Sequence, residues 1–189
     1  MNDPTPHKKI LSGKKFIEVR FAKLVGLPCW QVERGQGSFL TMEFGKPHLR
    51  VREPTTPRRR VSARIRETLM RRFVRPQGEW CFWVYCADWQ FRMKGKLAGD
   101  SSSKRAIERA IRAMDGQILT GISLYHKKRQ TVLHFDLGGR LVITPNDQES
   151  ELWHLYEPSG KVLTYRADNM FTYQSRSVSG CEENWQRVL

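Results

Sequence analysis

The sequence predicts an α+β fold: a tandem duplication of one unit, a helix followed by an antiparallel β-meander, closing into a single compact body. Three observations predict it: an amphipathic segment that recurs 90 residues later, alternating apolar segments after each occurrence, and glycine turns between those segments.

The helices come first. Ile17, Phe21 and Leu24 fall at i, i+4 and i+7, and Ile107, Ile111 and Met114 repeat that spacing, one apolar stripe in each case. Ser12 and Ser102 are suited to cap the starts, Gly26 and Gly116 to end them. The match continues at offsets of 90 to 92, with Val32 against Ile122, Phe44 against Phe135, Leu49 against Leu141, Val51 against Ile143 and Pro54 against Pro145. Phe39 to Phe44 and His48 to Arg52 alternate in character, as do Thr131 to Asp136 and Arg140 to Thr144. With Gly45-Lys46-Pro47 and Gly138-Gly139 as tight turns, each copy is expected to hold three antiparallel strands. Further on the offset becomes 73. Glu79 to Trp83 then faces Leu152 to Tyr156, relating Trp80 to Trp153, and Trp89 to Met93 has Val162 to Arg166 as its counterpart.

The fall in offset from 92 to 73 leaves about 19 residues that only the first copy carries. The predicted organisation is therefore a disordered N-terminus (1–11), a first repeat (12–100) with a basic insertion (55–78), a second repeat (101–170) and a loosely attached C-terminal tail (171–189) anchored by Trp185.

Charge follows this division. Net charge is +14; residues 1–75 hold 18 Lys/Arg against 6 Asp/Glu, and residues 76–189 hold 15 against 13. Such asymmetry points to an acidic partner met by the first half of the chain. No run approaches the roughly 20 apolar residues of a membrane span, and the N-terminus lacks a signal-peptide hydrophobic stretch, so a cytoplasmic protein with no membrane partner is expected. The four cysteines form no CxxC pair and are expected as buried free thiols, with no metal and no cofactor.

The insertion is the most distinctive segment. Val61, Ile65, Leu69 and Phe73 recur every four residues, predicting a helix over 61–73 with Ser62 as its cap and the apolar stripe anchoring it to the body. Arg58, Arg59, Arg60, Arg64, Arg66, Arg71, Arg72 and Arg75 cover the remainder, and Arg50 and Arg52 share a strand face with His48. Guanidinium groups make bidentate contacts to carboxylates and phosphates, so these ten arginines are the candidate binding residues, for an acidic protein or for nucleic acid. No helix-turn-helix, zinc-finger, RRM or KH signature accompanies them.

No catalytic constellation is evident. His134 and Asp136 share a strand face without a third ligand or a nucleophile beside them, and Ser12-Gly13-Lys14-Lys15 lacks the upstream glycine of a phosphate loop. The aromatic run Trp80, Phe82, Trp83, Tyr85, Trp89 and Phe91 is apolar on both faces of a strand and is expected as core rather than as a base-stacking platform.

Leu27-Pro28-Cys29-Trp30, Gly35 to Leu40, Gly78-Glu79-Trp80 with Tyr85-Cys86, Phe135 to Gly139, and Tyr156 to Gly160 leading to Tyr165 through Asp168 resemble a family of small uncharacterised bacterial proteins over roughly residues 24–170. The resemblance implies a bacterial, cytoplasmic origin and assigns no activity, cofactor or catalytic residue. By analogy of fold and size it implies an immunity or defence-accessory role.

Overall fold

The computed structural model describes residues 12–57, 60–178 and 184–188. In chain order the elements are α1 (Gly13–Phe21), β1 (Cys29–Arg34), β2 (Leu40–Phe44), β3 (His48–Arg52), α2 (Ala63–Leu69), β4 (Phe73–Gln77), β5 (Trp80–Val84), β6 (Ala87–Met93), β7 (Lys96–Asp100), α3 (Lys104–Met114), β8 (Leu119–Tyr125), β9 (Gln130–Phe135), β10 (Gly139–Pro145), β11 (Glu151–Tyr156), β12 (Lys161–Arg166), β13 (Met170–Ser175) and β14 (Gln186–Arg187). The expectation for residues 1–11, like Arg58 and Arg59, lies outside the described residues.

Serine hydroxyls start the helices by accepting an otherwise unpaired first-turn amide: Ser12 from Lys15 at 3.4 Å and, in place of the expected Ser102, Ser103 from Ala106 at 3.2 Å. α1 buries Ile17 and Phe21, and α3 buries Ala106, Ile107, Ala110 and Met114. Gly26 and Gly116 follow at φ +89° and +86°, a conformation that a Cβ would strain. Residues 26–29 and 116–119 then run antiparallel with Pro28 opposite Ile118. The Gly26 amide donates to the Leu119 carbonyl and the Gly116 amide to that of Cys29; Cys29 donates to Gln117 and Leu119 to Leu27, all at 2.8–3.0 Å. Each bond has its mirror image at an offset of 90.

From this junction the strands diverge into two antiparallel sheets. The larger has the order β1-β2-β5-β11-β12-β13-β14 and the smaller β7-β6-β10-β9-β8. Their apolar faces meet α1 and α3 in one core. Phe21 touches Phe82 and Trp153 edge-on, with ring centroids 5.8 and 5.5 Å apart. The two fully buried indoles keep their N–H groups satisfied, Trp89 by the Ser38 carbonyl and Trp153 by the Thr131 hydroxyl. No helix among the described residues is long and apolar enough to cross a membrane.

Three expectations are corrected. First, Gly45-Lys46-Pro47 closes no hairpin: β3 leaves the sheet and pairs with β4 in a separate two-stranded ribbon, while β5 takes the place beside β2. The reason is burial. β5 offers Trp80, Phe82 and Val84 on one face, whereas β3 offers only Leu49 and Val51 between basic side chains, and the strand with more apolar area wins the inner position. Second, the helix expected over 61–73 is the seven-residue α2. Ser62 does cap it, but Phe73 starts β4 opposite Arg52, and α2 buries no residue, so its stripe does not anchor it to the body. Third, the described residues 171–178 and 184–188 are not a loose tail. β13 is paired along its length with β12, Phe171 and Val188 are buried, and Arg166 stacks on Trp185 at 4.5 Å.

Candidate functional site

The larger sheet turns one face to the core and the other to the ribbon. On the outer face, strand register lines up two rows across β2, β5, β11 and β12: Thr41, Trp83, His154 and Thr164 in one, Glu43, Cys81, Tyr156 and Val162 in the next. Trp83 is the centre of an aromatic cluster, 5.9 Å from Phe39, 4.8 Å from Tyr85, 5.3 Å from His154 and 6.4 Å from Tyr156. Strand β5 is thus core on one side only. The Trp83 side, expected as buried packing, is half-exposed.

Burial biases the ionisable groups of this floor toward their neutral forms. His154 is pushed down to about 4 by desolvation, its Nδ1 3.0 Å from the Thr164 hydroxyl. Burial also raises Glu43, which accepts from the Gly78 amide at 3.1 Å and from the Cys81 thiol. Cys81 is pushed up to about 12 by desolvation and by that carboxylate, and Tyr156 is raised by desolvation. A thiol held this high is a poor nucleophile.

The ribbon forms the opposite wall. Cross-strand pairing sorts its residues into two faces: His48, Arg50, Arg52, Phe73, Arg75 and Gln77 on one, Leu49, Val51, Val74 and Pro76 on the other. The basic face turns toward the sheet. Between them is a cavity of about 370 Å³ lined by Thr41, Arg50, Arg75, Gln77, Cys81, Trp83, Tyr156 and Arg176. Arg176 follows β13, with its guanidinium over the Tyr156 ring at 4.9 Å.

The eight candidate arginines among the described residues thereby separate into groups with different surroundings. Arg50 and Arg75 stand directly opposite one another in the cavity wall. Arg52 is structural: it donates to the Thr68 carbonyl at 2.7 Å and to that of Leu69, tying α2 to the ribbon. Arg72 is paired with Glu53 at 2.9 Å. Arg60, Arg64, Arg66 and Arg71 are exposed. Arg176, Trp83, Tyr156, Gln77 and Thr41 join the site without having been singled out as binding residues. For Trp83 and Tyr156 the aromatic alternation of β5 and β11 was the available signal; an isolated arginine after β13 offered none.

Elsewhere the sequence candidates are absorbed by structure. His134 is 2.9 Å from the Ser123 hydroxyl, and the Asp136 carboxylate accepts from the Ile118 amide at 2.9 Å. Among the described residues, no three His, Cys, Asp or Glu side chains are grouped to hold a metal ion. Cys29, Cys81 and Cys86 are free thiols, the first buried and the others half-buried. No protein-family model, curated protein or solved structure matches this chain.

Proposed function

We propose that this is a non-catalytic binding protein whose β3–α2–β4 arm docks on an acidic protein partner, as an immunity or accessory factor of the bacterial cytoplasm would. One observation carries the reading: the exposed surface of the arm combines apolar and cationic groups. Leu49 is 70% exposed, and Val51, Val74, Ile65 and Met70 are also exposed, as are Arg64, Arg66 and Arg71. An apolar centre with arginine around it is the composition of protein interfaces. The test is affinity capture by wild-type protein and by the Arg64→Glu, Arg66→Glu, Arg71→Glu variant. A stoichiometric partner held by the first and lost from the second supports the reading; capture of the same partner by both overturns it.

A second reading, nucleic-acid binding through the same arm, has its own support in the exposed Arg60, Arg64, Arg66 and Arg71, guanidinium groups free to meet backbone phosphates. It predicts an affinity that falls steeply with salt, and a flat response rejects it.

The body supports an internal duplication, with β5 rather than β3 as the counterpart of β10. Under it, α1-β1-β2-β5-β6-β7 corresponds to α3-β8-β9-β10-β11-β12, and the two sheet orders β1-β2-β5-β11-β12 and β8-β9-β10-β6-β7 interchange strand for strand. Phe44 opposite Cys29 then answers Phe135 opposite Leu119, and Trp153 answers Trp89 rather than Trp80. The arm is the segment without a counterpart.

A further inference from the structure

The cavity beneath the arm has a different character from the outward face that the proposed partner would cover. Arg50 and Arg75 are directly opposed across the ribbon, an arrangement that costs stability through like-charge repulsion. Arg176 brings a third guanidinium to the same space, and none of the three forms an ion pair with a described residue. The one carboxylate that Arg75 acts on is the buried Glu43, so three guanidiniums share at most one counter-charge and form an anion site, and a guanidinium's planar fork suits phosphate oxygens.

The remainder of the lining specifies more than an anion. Trp83 and Tyr156 lie within 25° of parallel with centroids 6.4 Å apart, side by side on the floor; the Arg176 guanidinium covers the Tyr156 ring, which leaves the Trp83 indole as the flat apolar surface beside it. Gln77 is 7% exposed, faces the cavity, and its carboxamide has no hydrogen-bond partner among the described residues. That carboxamide carries both a donor and an acceptor, as does the edge of a nucleobase. The volume of about 370 Å³ is near the lower end for ligand pockets, room for one nucleotide.

We propose that the cleft between the arm and the outer face of the larger sheet is a binding site for a nucleoside phosphate. The phosphate lies among Arg50, Arg75 and Arg176, the last held over Tyr156, while the base stacks on Trp83 and Gln77 meets the base edge. Base–aromatic stacking tolerates every base, so Gln77 is the group that discriminates among them. Free nucleotide and the terminal nucleotide of a single strand present the same chemistry to this lining.

Calorimetric titration of the full chain tests the assignment, with nucleoside mono- and diphosphates, the corresponding nucleosides, inorganic phosphate and short single-stranded oligonucleotides as probes. The nucleotides should saturate one site per chain, with nucleosides and inorganic phosphate each at least tenfold weaker. Tighter binding of mononucleotides identifies free nucleotide as the source; tighter binding of 5′-phosphorylated oligonucleotides identifies a strand end. Both outcomes uphold the site. Arg176→Gln, a change at a position outside the core, should weaken binding at least tenfold, as should Arg75→Gln. Trp83→Leu should weaken nucleotides while leaving inorganic phosphate unchanged, and Arg64→Gln should alter neither. Absence of saturable nucleotide binding at low ionic strength overturns the proposal. So does an Arg64→Gln effect equal to that of Arg176→Gln, which would mean attraction to a diffuse basic surface.

Discussion

Two connections in this molecule begin alike and end differently. After β9 the chain turns through residues 136–138 and returns at once as β10, with Leu133 opposite Leu141. After β2 it leaves the sheet, builds β3, α2 and β4, and only then returns as β5, with Leu40 opposite Val84 and Phe44 opposite Trp80. The returning strand pairs antiparallel with its predecessor in both cases, so the detour adds nothing to the pairing it interrupts. Between His48 and Gln77 the single buried described residue is Gln77 itself, and it lines the cleft. Body and arm therefore have separate tasks: one supplies stability, the other presents charge.

The largest test of that division is in the body. Trp89→Ala and Trp153→Ala each remove a fully buried indole and strand its hydrogen-bond acceptor, at an expected cost of about 3–5 kcal/mol each. Chemical denaturation measures it. A loss below about 1 kcal/mol at either position would mean that the core is not where stability resides.

Acid should also act on the body. His154 is neutral in the folded protein down to about pH 4, whereas in the unfolded chain it takes up a proton near 6.5. Proton uptake favours the unfolded state, so this site withdraws stability as pH falls below about 6.5, up to about 3 kcal/mol by pH 4. His154→Gln, which keeps a polar partner for Thr164, should flatten that part of the stability profile as followed by thermal unfolding at stepped pH. An unchanged slope would assign the acid sensitivity to other groups.

Much of the body was legible in the sequence, because burial imposes periodicity. The spacing of Ile17, Phe21 and Leu24, and of Ile107, Ile111 and Met114, marks the helix faces that are buried, and Phe44 and Phe135 occupy like positions in their hairpins. Pairing was harder to read, since β3 carries the same alternation as β10, and only the greater apolar area of β5, which takes the place beside β2, keeps β3 from pairing as β10 does beside β9. Trp83 departs from expectation for a related reason: a strand apolar on both faces implies two covering layers, yet here the second cover is a partial one, the arm. Arg176 arrives from a strand some 100 residues beyond the ribbon arginines, and nothing local marks it.

Removing the arm should change stability less than either test above. Deletion of residues 46–78 joins Gly45 to Glu79 and leaves Phe44-Gly45-Glu79-Trp80, a two-residue hairpin whose flanking residues are already paired. Gly45 already has φ +79°, and a type II′ turn needs a glycine with positive φ at its first position. Shortening the connection also lowers its closure entropy, so stability should be unchanged or raised by about 1–2 kcal/mol. A shortened chain that keeps its sheet dichroism but loses nucleotide binding and partner capture would make the two connections equivalent. One that fails to fold would show the arm to be part of the body.

The smallest structural effect, and the sharpest functional one, is expected on the arm's outward face. Leu49 and Val74 are 70% and 49% exposed, so Leu49→Ser with Val74→Ser removes little burial and should shift stability by no more than about 0.5 kcal/mol for each change. Both residues point away from the cleft, so nucleotide affinity should stay within twofold of wild type. Capture of an acidic protein partner, however, should fall at least tenfold, because these side chains would form the apolar centre of that contact. Arg176→Gln should give the converse, with nucleotide binding lost and capture retained. That reciprocal pattern separates the two faces of one ribbon, whereas a parallel loss of both activities in both variants would mean that cleft and outward face act as one surface.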